Sequence, residues 1–249
     1  MHGGDTHKTI LRLLSEGVFD ILFPKYCLVC KKEGSYCCEE CQLQLKPIYP
    51  TTCFGCHVIT AFGELCKNCK PTYSFDGIII SADYEDEIIN KLIKQCKYRF
   101  VKELGEIMGW LLAEKVAKLL QQSNNQSDFD KEFFQSVVIP IPLSRRRLRQ
   151  REFNQSEIIA QFFASYFSLE YQPQLLGRNH RKPQASLSEE LREKNVKDSF
   201  FVKEMSHPVP KTVFVVDDVI TTGATLEEAA QVLKEQGVEN VWGMIVAKG

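Results

Sequence analysis

The stretch Val213-Phe-Val-Val-Asp-Asp-Val-Ile-Thr-Thr-Gly-Ala-Thr225 decides the fold, because it joins an apolar run, two acidic residues and a turn of small residues. The apolar run at 213–216 predicts a central strand, and the turn at 221–225 opens the helix that follows it. A buried strand that ends in an ordinary helix cap is the alternative, but two adjacent acids and a threonine-glycine turn exceed what a cap needs.

The chemistry of this stretch indicates a sugar-phosphate site. Backbone amides of a tight turn, together with the positive end of the helix behind it, bind a phosphate monoester. Carboxylates in front of the turn accept hydrogen bonds from two ribose hydroxyls, directly or through a divalent ion. The residues predicted for this site are Asp217, Asp218, Thr221, Thr222, Gly223, Ala224 and Thr225.

The chain on either side of this stretch alternates between strand and helix patterns. The predicted strands are 77–82, 137–141, 213–216 and 241–246, and the predicted helices are 85–98, 102–120, 155–167 and 226–235. This alternation predicts an α/β fold with a mainly parallel sheet flanked by helices, in which ligands bind beyond the carboxyl ends of the strands. The polar residues 121–130 predict a surface loop.

Eight of the ten cysteines form four CxxC pairs. Two such pairs supply four thiolates to one tetrahedral ion, so the spacing predicts two structural zinc ions in closed sites. A thioredoxin-like redox role is the weaker alternative, because redox CxxC sites occur singly. The spacing leaves open which pairs share an ion, and Cys96 is expected to be an inert packing residue. The predicted metal ligands are Cys27, Cys30, Cys38, Cys41, Cys53, Cys56, Cys66 and Cys69.

Composition and charge limit the classes of protein that fit the chain. Its 249 residues carry 31 basic and 32 acidic side chains, so no overall charge attracts it to nucleic acid or to a membrane. Ten cysteines could indicate a secreted disulfide scaffold, but the N-terminus lacks a secretory signal pattern, so we expect reduced thiols in the cytoplasm. No apolar run reaches the roughly 20 residues of a membrane helix, so we expect no membrane insertion. The chain is predicted to divide into an N-terminal amphipathic helix in 1–25, a zinc module in 26–72 and an α/β domain in 73–249.

Basic residues form two clusters. The first comprises Arg145, Arg146, Arg147, Arg149 and Arg151, and the second comprises Arg178, His180, Arg181 and Lys182. A solvated charged face is one interpretation of each cluster. Contacts to pyrophosphate are a second, predicted for Arg145, Arg146, Arg147, Arg181 and Lys182. A third is a track for the phosphates of single-stranded nucleic acid, extended by Lys94, Lys97, Tyr98, Arg99 and Phe100.

The stretch around Asp217 resembles the phosphoribosyl pyrophosphate motif of type I phosphoribosyltransferases. The resemblance implies that fold, with phosphoribosyl pyrophosphate and magnesium as ligands, the first basic cluster facing the pyrophosphate and the second forming a lid. Purine-salvage members usually have an acid at the first turn position, where this chain has Thr221. This departure argues against a hypoxanthine-guanine enzyme, and no catalytic residue is assigned.

Four features of the sequence together resemble the ComF family of competence proteins. They are the CxxC pairs, Arg151-Glu-Phe-Asn-Gln155, the segment that carries Gln184, Leu187, Arg192, Asn195 and Phe200, and Val216-Asp-Asp-Val-Ile-Thr-Thr-Gly223. The resemblance implies a double zinc ribbon before a phosphoribosyltransferase domain, in bacteria that take up DNA for natural transformation. Single-stranded DNA is the nucleic-acid partner expected for the basic surface, and docking of a DNA-translocating helicase by the zinc ribbons is a further alternative. An active transferase that releases pyrophosphate with an unidentified acceptor is the alternative. Glu152 stands where the family commonly has glycine.

Overall fold

The computed structural model describes residues 24–99, 101–123, 128–179, 199–203 and 209–249. They fall into two compact units, one ending at Leu45 and one starting at Lys46. The predicted amphipathic helix in 1–25 and the two lid residues Arg181 and Lys182 lie outside the described residues. The division at residue 72 stays a prediction.

The described part of the first unit, residues 24–45, is built around cysteines. Tyr26 bridges to Glu33 in an antiparallel turn, and a short helix, α1 (Glu39–Gln42), follows Cys38. Its buried side chains include Cys27 and Cys41. Sulfur therefore occupies the positions that hydrocarbon fills in a larger core.

The second unit is built on a parallel sheet. Its strands are β1 (Gly77–Asp83), β2 (Val137–Pro140), β3 (Glu170–Tyr171), β4 (Leu176–Arg178), β5 (Phe200–Val202), β6 (Thr212–Ile220) and β7 (Asn240–Lys248). Five of them pair in the order β1-β7-β6-β2-β3, and every pairing is parallel. β4 and β5 form a separate antiparallel pair. The predicted α/β fold with a mainly parallel sheet is confirmed.

Six α-helices of the described residues belong to this unit, together with a short 3₁₀ helix at Lys70–Thr72. The α-helices are α2 (Glu87–Tyr98), α3 (Glu103–Gln122), α4 (Asp128–Phe133), α5 (Arg145–Arg151), α6 (Gln155–Phe167) and α7 (Ala224–Glu235). The four predicted helices are all present. The surface loop predicted at 121–130 is wrong in part, because α3 continues to Gln122 and α4 begins at Asp128. The aromatic rings of Phe129 and Phe133 on α4 pack against Phe214 of β6, which favours a helix there over a solvated loop.

The central strand β6 is longer than its apolar run predicts. Its pairing with β7 continues to Ile220, whereas its pairing with β2 ends at Val216. β6 therefore keeps one strand neighbour over its last four residues. One side of the strand is open where Asp217 leaves the core.

A buried lysine lies within the second unit. Lys115 on α3 has no exposed surface, its ammonium donates a hydrogen bond to the carbonyl of Ile48, and it lies 3.5 Å from the centroid of the Tyr49 ring. Burial lowers the pKa of Lys115 to about 8, below its ordinary value of 10.5. The charged form is thus disfavoured in the folded protein.

The sign of this shift predicts a pH-dependent mutational effect. Because the pKa is lower in the folded state, the destabilisation is complete below pH 8 and disappears as the pH rises from 8 towards 10.5. We expect Lys115→Met to raise the free energy of unfolding by about 2 kcal/mol at pH 7, with a smaller gain at pH 10. Urea unfolding at both pH values measures this, with Lys118→Met, an exposed lysine of the same helix, as the control. A loss of stability in Lys115→Met at pH 7 would contradict the prediction.

None of the helices in the described ranges is both long and apolar enough to span a membrane.

Candidate functional site

A cavity that opens to solvent lies at the carboxyl end of β6, and about 360 Å³ of space, part of it open solvent, lies within it. The turn 221–223 leads from β6 into α7, and Gly223 has a φ of +82°, in the left-handed region that favours glycine. Ala224 donates its backbone N–H to Oγ1 of Thr222 over 3.4 Å. The predicted residues that line this cavity are Asp217, Thr221, Thr222, Gly223, Ala224 and Thr225.

Asp217 is held in place by two neighbours. Its Oδ1 accepts a hydrogen bond from the hydroxyl of Ser156 over 2.8 Å and from the backbone N–H of Asp218 over 2.9 Å. In the described part of the chain, these bonds reach only Oδ1, which leaves Oδ2 available to a ligand in the cavity. Burial and the neighbouring charge of Asp218 raise the pKa of Asp217 above its usual range. Ser156 directly follows the Phe-Asn-Gln motif, but its bond to Asp217 was not predicted.

The second predicted carboxylate has a different environment. Successive side chains of a strand point to opposite faces, and Asp218 forms an ion pair with Lys97 of α2 over 2.9 Å. The two side chains are only 10% and 15% exposed. Burial and the charge of Asp218 also raise the pKa of the Cys96 thiol to about 12, which fits an inert packing residue. Lys97, predicted as part of a nucleic-acid track, is instead the buried partner of Asp218.

The loop between β2 and α6 is fixed by the Phe-Asn-Gln motif. Asn154 is buried, donates its side-chain amide to the carbonyl of Ile141 over 2.9 Å and accepts from the N–H of Ser156 at the start of α6. Glu152 has a φ of +61°, a left-handed conformation that glycine adopts at lower cost. A glycine at this position would meet the backbone requirement at lower cost, whereas in this chain a glutamate adopts the left-handed conformation.

The first basic cluster forms the helix α5. Its residues Arg145, Arg146 and Arg147 are exposed, and Ser144 caps the helix by accepting a hydrogen bond from the N–H of Arg147. Arg178 of β4 donates to the carbonyl of Pro142 in the loop before α5. Burial and then the positive charge of Arg147 lower the pKa of Arg178. The first cluster and the start of the second are therefore neighbours.

The eight cysteines of the CxxC pairs form two groups of four. Cys27, Cys30, Cys38 and Cys41 form one group, and Cys53, Cys56, Cys66 and Cys69 form the other. The sulfur atoms within each group lie within 4.8 Å of one another, and the closest contacts, Cys30 to Cys38 and Cys56 to Cys66, are 3.5 Å. A tetrahedral zinc ion with Zn–S bonds of about 2.3 Å needs sulfur atoms about 3.8 Å apart. Both groups fit structural zinc, and the pairs are used in chain order.

Strand order, cavity position and the glycine turn define the class of this protein: it has the type I phosphoribosyltransferase fold, preceded by a small zinc-ribbon module. Residues 159–247 match the family described as Phosphoribosyl transferase domain. The chain is 30% identical to Competence protein F of Haemophilus influenzae over 83% of this chain and 89% of the relative. It is 26% identical to Competence protein ComFC of Bacillus subtilis over 94% of this chain and 92% of that relative. It is 29% identical to DNA utilization protein YhgH of Shigella flexneri over 77% of this chain and 81% of that relative. The chain belongs to the ComF family of competence proteins.

Proposed function

We propose that the protein binds phosphoribosyl pyrophosphate, or a related sugar phosphate, and handles single-stranded DNA during natural transformation. One observation carries the first part: Asp217 and the turn 221–225 line the same cavity. The names of the relatives, which are competence and DNA utilization proteins, support the second part.

The phosphate of the ligand is assigned to the turn 221–225. The first amides of α7 have no partner within the helix, and the helix adds the positive end of its dipole. Thr221 and Thr222 are exposed, so their hydroxyls reach solvent or a bound phosphate. A monoester phosphate offers the acceptor oxygens that these donors need.

The ribose and pyrophosphate are assigned to the groups around this turn. Oδ2 of Asp217 accepts from a ribose hydroxyl, with Asp218 as the second acceptor implied by the family motif. Magnesium usually binds to one or two carboxylates together with substrate phosphates, and Asp217 fits that requirement. The cationic groups proposed to contact either the pyrophosphate or the phosphates of DNA are Arg145, Arg146, Arg147, Arg181 and Lys182.

We expect Asp217→Asn to weaken the binding of phosphoribosyl pyrophosphate by about tenfold to a hundredfold, because a charge-assisted hydrogen bond to the sugar is lost. Titration calorimetry with magnesium present measures this, and Glu239→Gln, an exposed acid outside the cavity, is the control. Absence of binding by the zinc-loaded wild-type protein would refute the sugar-phosphate proposal. A pyrophosphate-release assay with a panel of bases then separates a transferase from a binding protein.

The DNA surface is assigned to α5 and the end of α2. Tyr98 is 67% exposed, and the guanidinium of Arg151 lies 5.8 Å from the centroid of its ring. An exposed aromatic ring stacks on bases while neighbouring arginines neutralise phosphates, the combination that single-stranded nucleic acid requires. This surface favours a flexible single strand over a duplex, whose bases are not available for stacking.

Replacement of Arg145, Arg146 and Arg147 by alanine is expected to weaken single-stranded DNA binding by at least about tenfold at low salt. The slope of log affinity against log salt should fall by about 2, because three phosphate contacts contribute about 0.7 each. Fluorescence anisotropy across a salt series measures both quantities. The matched control replaces the same arginines by lysine, which keeps the charge. Equal affinities for the alanine variant and the wild type at every salt concentration would remove α5 from the DNA surface.

We further propose a DNA-translocating helicase as the protein partner and the cytoplasm as the location, on the grounds of the family resemblance and the reduced cysteines.

A further inference from the structure

We propose that Phe54, in the turn of the second cysteine site, positions the sugar-phosphate turn 221–225, so that the ion in this site sets the affinity for the sugar phosphate. The inference rests on the proposed sugar-phosphate function and gives the second zinc site a task beyond stability. Phe54 is a positioning residue: it acts through Gly223 and is not assigned a contact to the ligand.

The ring of Phe54 lies directly on Gly223. A β-carbon added to Gly223 would come within 2.9 Å of Cε1 and 3.0 Å of Cζ of this ring. Gly223 is the residue before the first amide of α7, and its left-handed φ of +82° already excludes most side chains. The glycine therefore has two requirements to meet, the backbone angle and the close approach of a phenyl ring.

The position of the ring depends on the four cysteines. Phe54 follows Cys53, whose sulfur is fully buried and accepts a hydrogen bond from the N–H of Cys66 over 3.4 Å. A β-carbon on the next residue, Gly55, would come within 2.8 Å of the sulfur of Cys69. The turn that carries Phe54 is thus packed on the opposite pair of cysteines. An ion shared by both pairs fixes the distance between them.

Several contacts between this module and α7 are made by residues that are not zinc ligands, although Cys53 also lies in the apolar core beside α7. Both carboxylate oxygens of Glu227, in the first turn of α7, accept from the N–H of Ser74 over 2.9 Å, and one also accepts from its hydroxyl over 2.7 Å. Asp76 forms an ion pair with Lys234 over 2.7 Å. Tyr73 and Phe75 pack edge-on or tilted with Phe54 and with each other. Residues 73–76 therefore stay attached to α7 when the ion is lost, and the part that loosens is the turn bearing Phe54.

The mechanism is one of pre-organisation. The amides of 221–225 bind phosphate well only when they already point into the cavity, and a turn that samples other conformations loses affinity in proportion to the time spent in them. With the ion present, Phe54 restricts Gly223. Without it, the turn 53–56 is free to move and the restriction is lifted.

Titration of phosphoribosyl pyrophosphate with magnesium tests the inference on the full chain. We expect Phe54→Ala, with two zinc ions retained, to bind about tenfold more weakly than the wild type, and Phe54→Leu to bind within about threefold of it, because leucine keeps an apolar group on Gly223. Ile59→Ala, which removes a 68% exposed side chain from the same module, is the control and should leave the affinity unchanged.

A matched pair of cysteine variants tests the role of the ion. Cys30 and Cys56 are both exposed ligands, one in each group. Cys30→Ser and Cys56→Ser should each lower the zinc content from two ions to one, but only Cys56→Ser should weaken ligand binding.

Hydrogen exchange should show faster exchange at 221–225 in Cys56→Ser and Phe54→Ala, and not in Cys30→Ser. This second measurement needs no ligand, so it remains decisive if the wild type fails to bind phosphoribosyl pyrophosphate and the proposed function falls. Unchanged affinity together with unchanged exchange in Phe54→Ala and Cys56→Ser would overturn the inference.

Discussion

Removal of zinc is expected to unfold residues 24–45 while the parallel sheet of the second unit persists. Residues 24–45, the described part of the first unit, bury little hydrocarbon, and their buried side chains include Cys27 and Cys41, which are predicted ligands. A four-sulfur zinc site contributes about 10 kcal/mol or more to the folding of such a module, which no other interaction there replaces. We expect a strong chelator to abolish the protection of the amides of Cys27 and Leu28, which donate to Lys32 and Tyr36 in the zinc-loaded state. Hydrogen exchange with mass spectrometry measures this loss.

Two controls separate metal loss from general damage. Amides of β6 and β7 should keep their protection, because the sheet is held by backbone pairing and an apolar core. Cys37 is buried but lies outside both groups of four cysteines. Cys37→Ser should therefore leave two zinc ions per chain. Protection of residues 24–45 that survives complete removal of both ions would show that the metal does not hold this unit together.

The features that the sequence predicted are the local ones. The spacing of apolar residues that indicates a strand or a helix is set by residues close together in the chain. All four predicted strands and all four predicted helices are accordingly present. The CxxC spacing and the stretch at Asp217 are equally local, since the residues that act together are adjacent in the chain. The exception is α4, where Phe129 and Phe133 pack on Phe214 and override a polar stretch.

The contacts that the sequence did not predict join distant parts of the chain. Two examples are the ion pair of Lys97 with Asp218 and the contact of Phe54 with Gly223. The sheet and the second cysteine module bring these distant residues together. The sequence also did not predict which CxxC pairs share an ion, because the spacing allows both in-order and interleaved sites. The helix α5 differs, since a run of arginines carries no apolar period from which a helix can be predicted.

Loss of the ion pair between Lys97 and Asp218 should destabilise the second unit by several kcal/mol. Lys97→Ala leaves a carboxylate that is 10% exposed without its cation. Breaking a buried pair from one side costs about 3 to 5 kcal/mol, whereas an exposed pair contributes less than about 1 kcal/mol. We therefore expect a fall of about 3 kcal/mol in the free energy of unfolding, or roughly 10 °C in the melting temperature. Urea unfolding followed by circular dichroism measures it.

Lys94→Ala is the matched control, because Lys94 is an exposed lysine of the same helix and should change stability by less than about 0.5 kcal/mol. The double variant Lys97→Met/Asp218→Asn removes both charges and should recover part of the loss, because the cost arises from an unpaired charge more than from a missing attraction. A single variant Lys97→Ala as stable as Lys94→Ala would mean that water reaches Asp218.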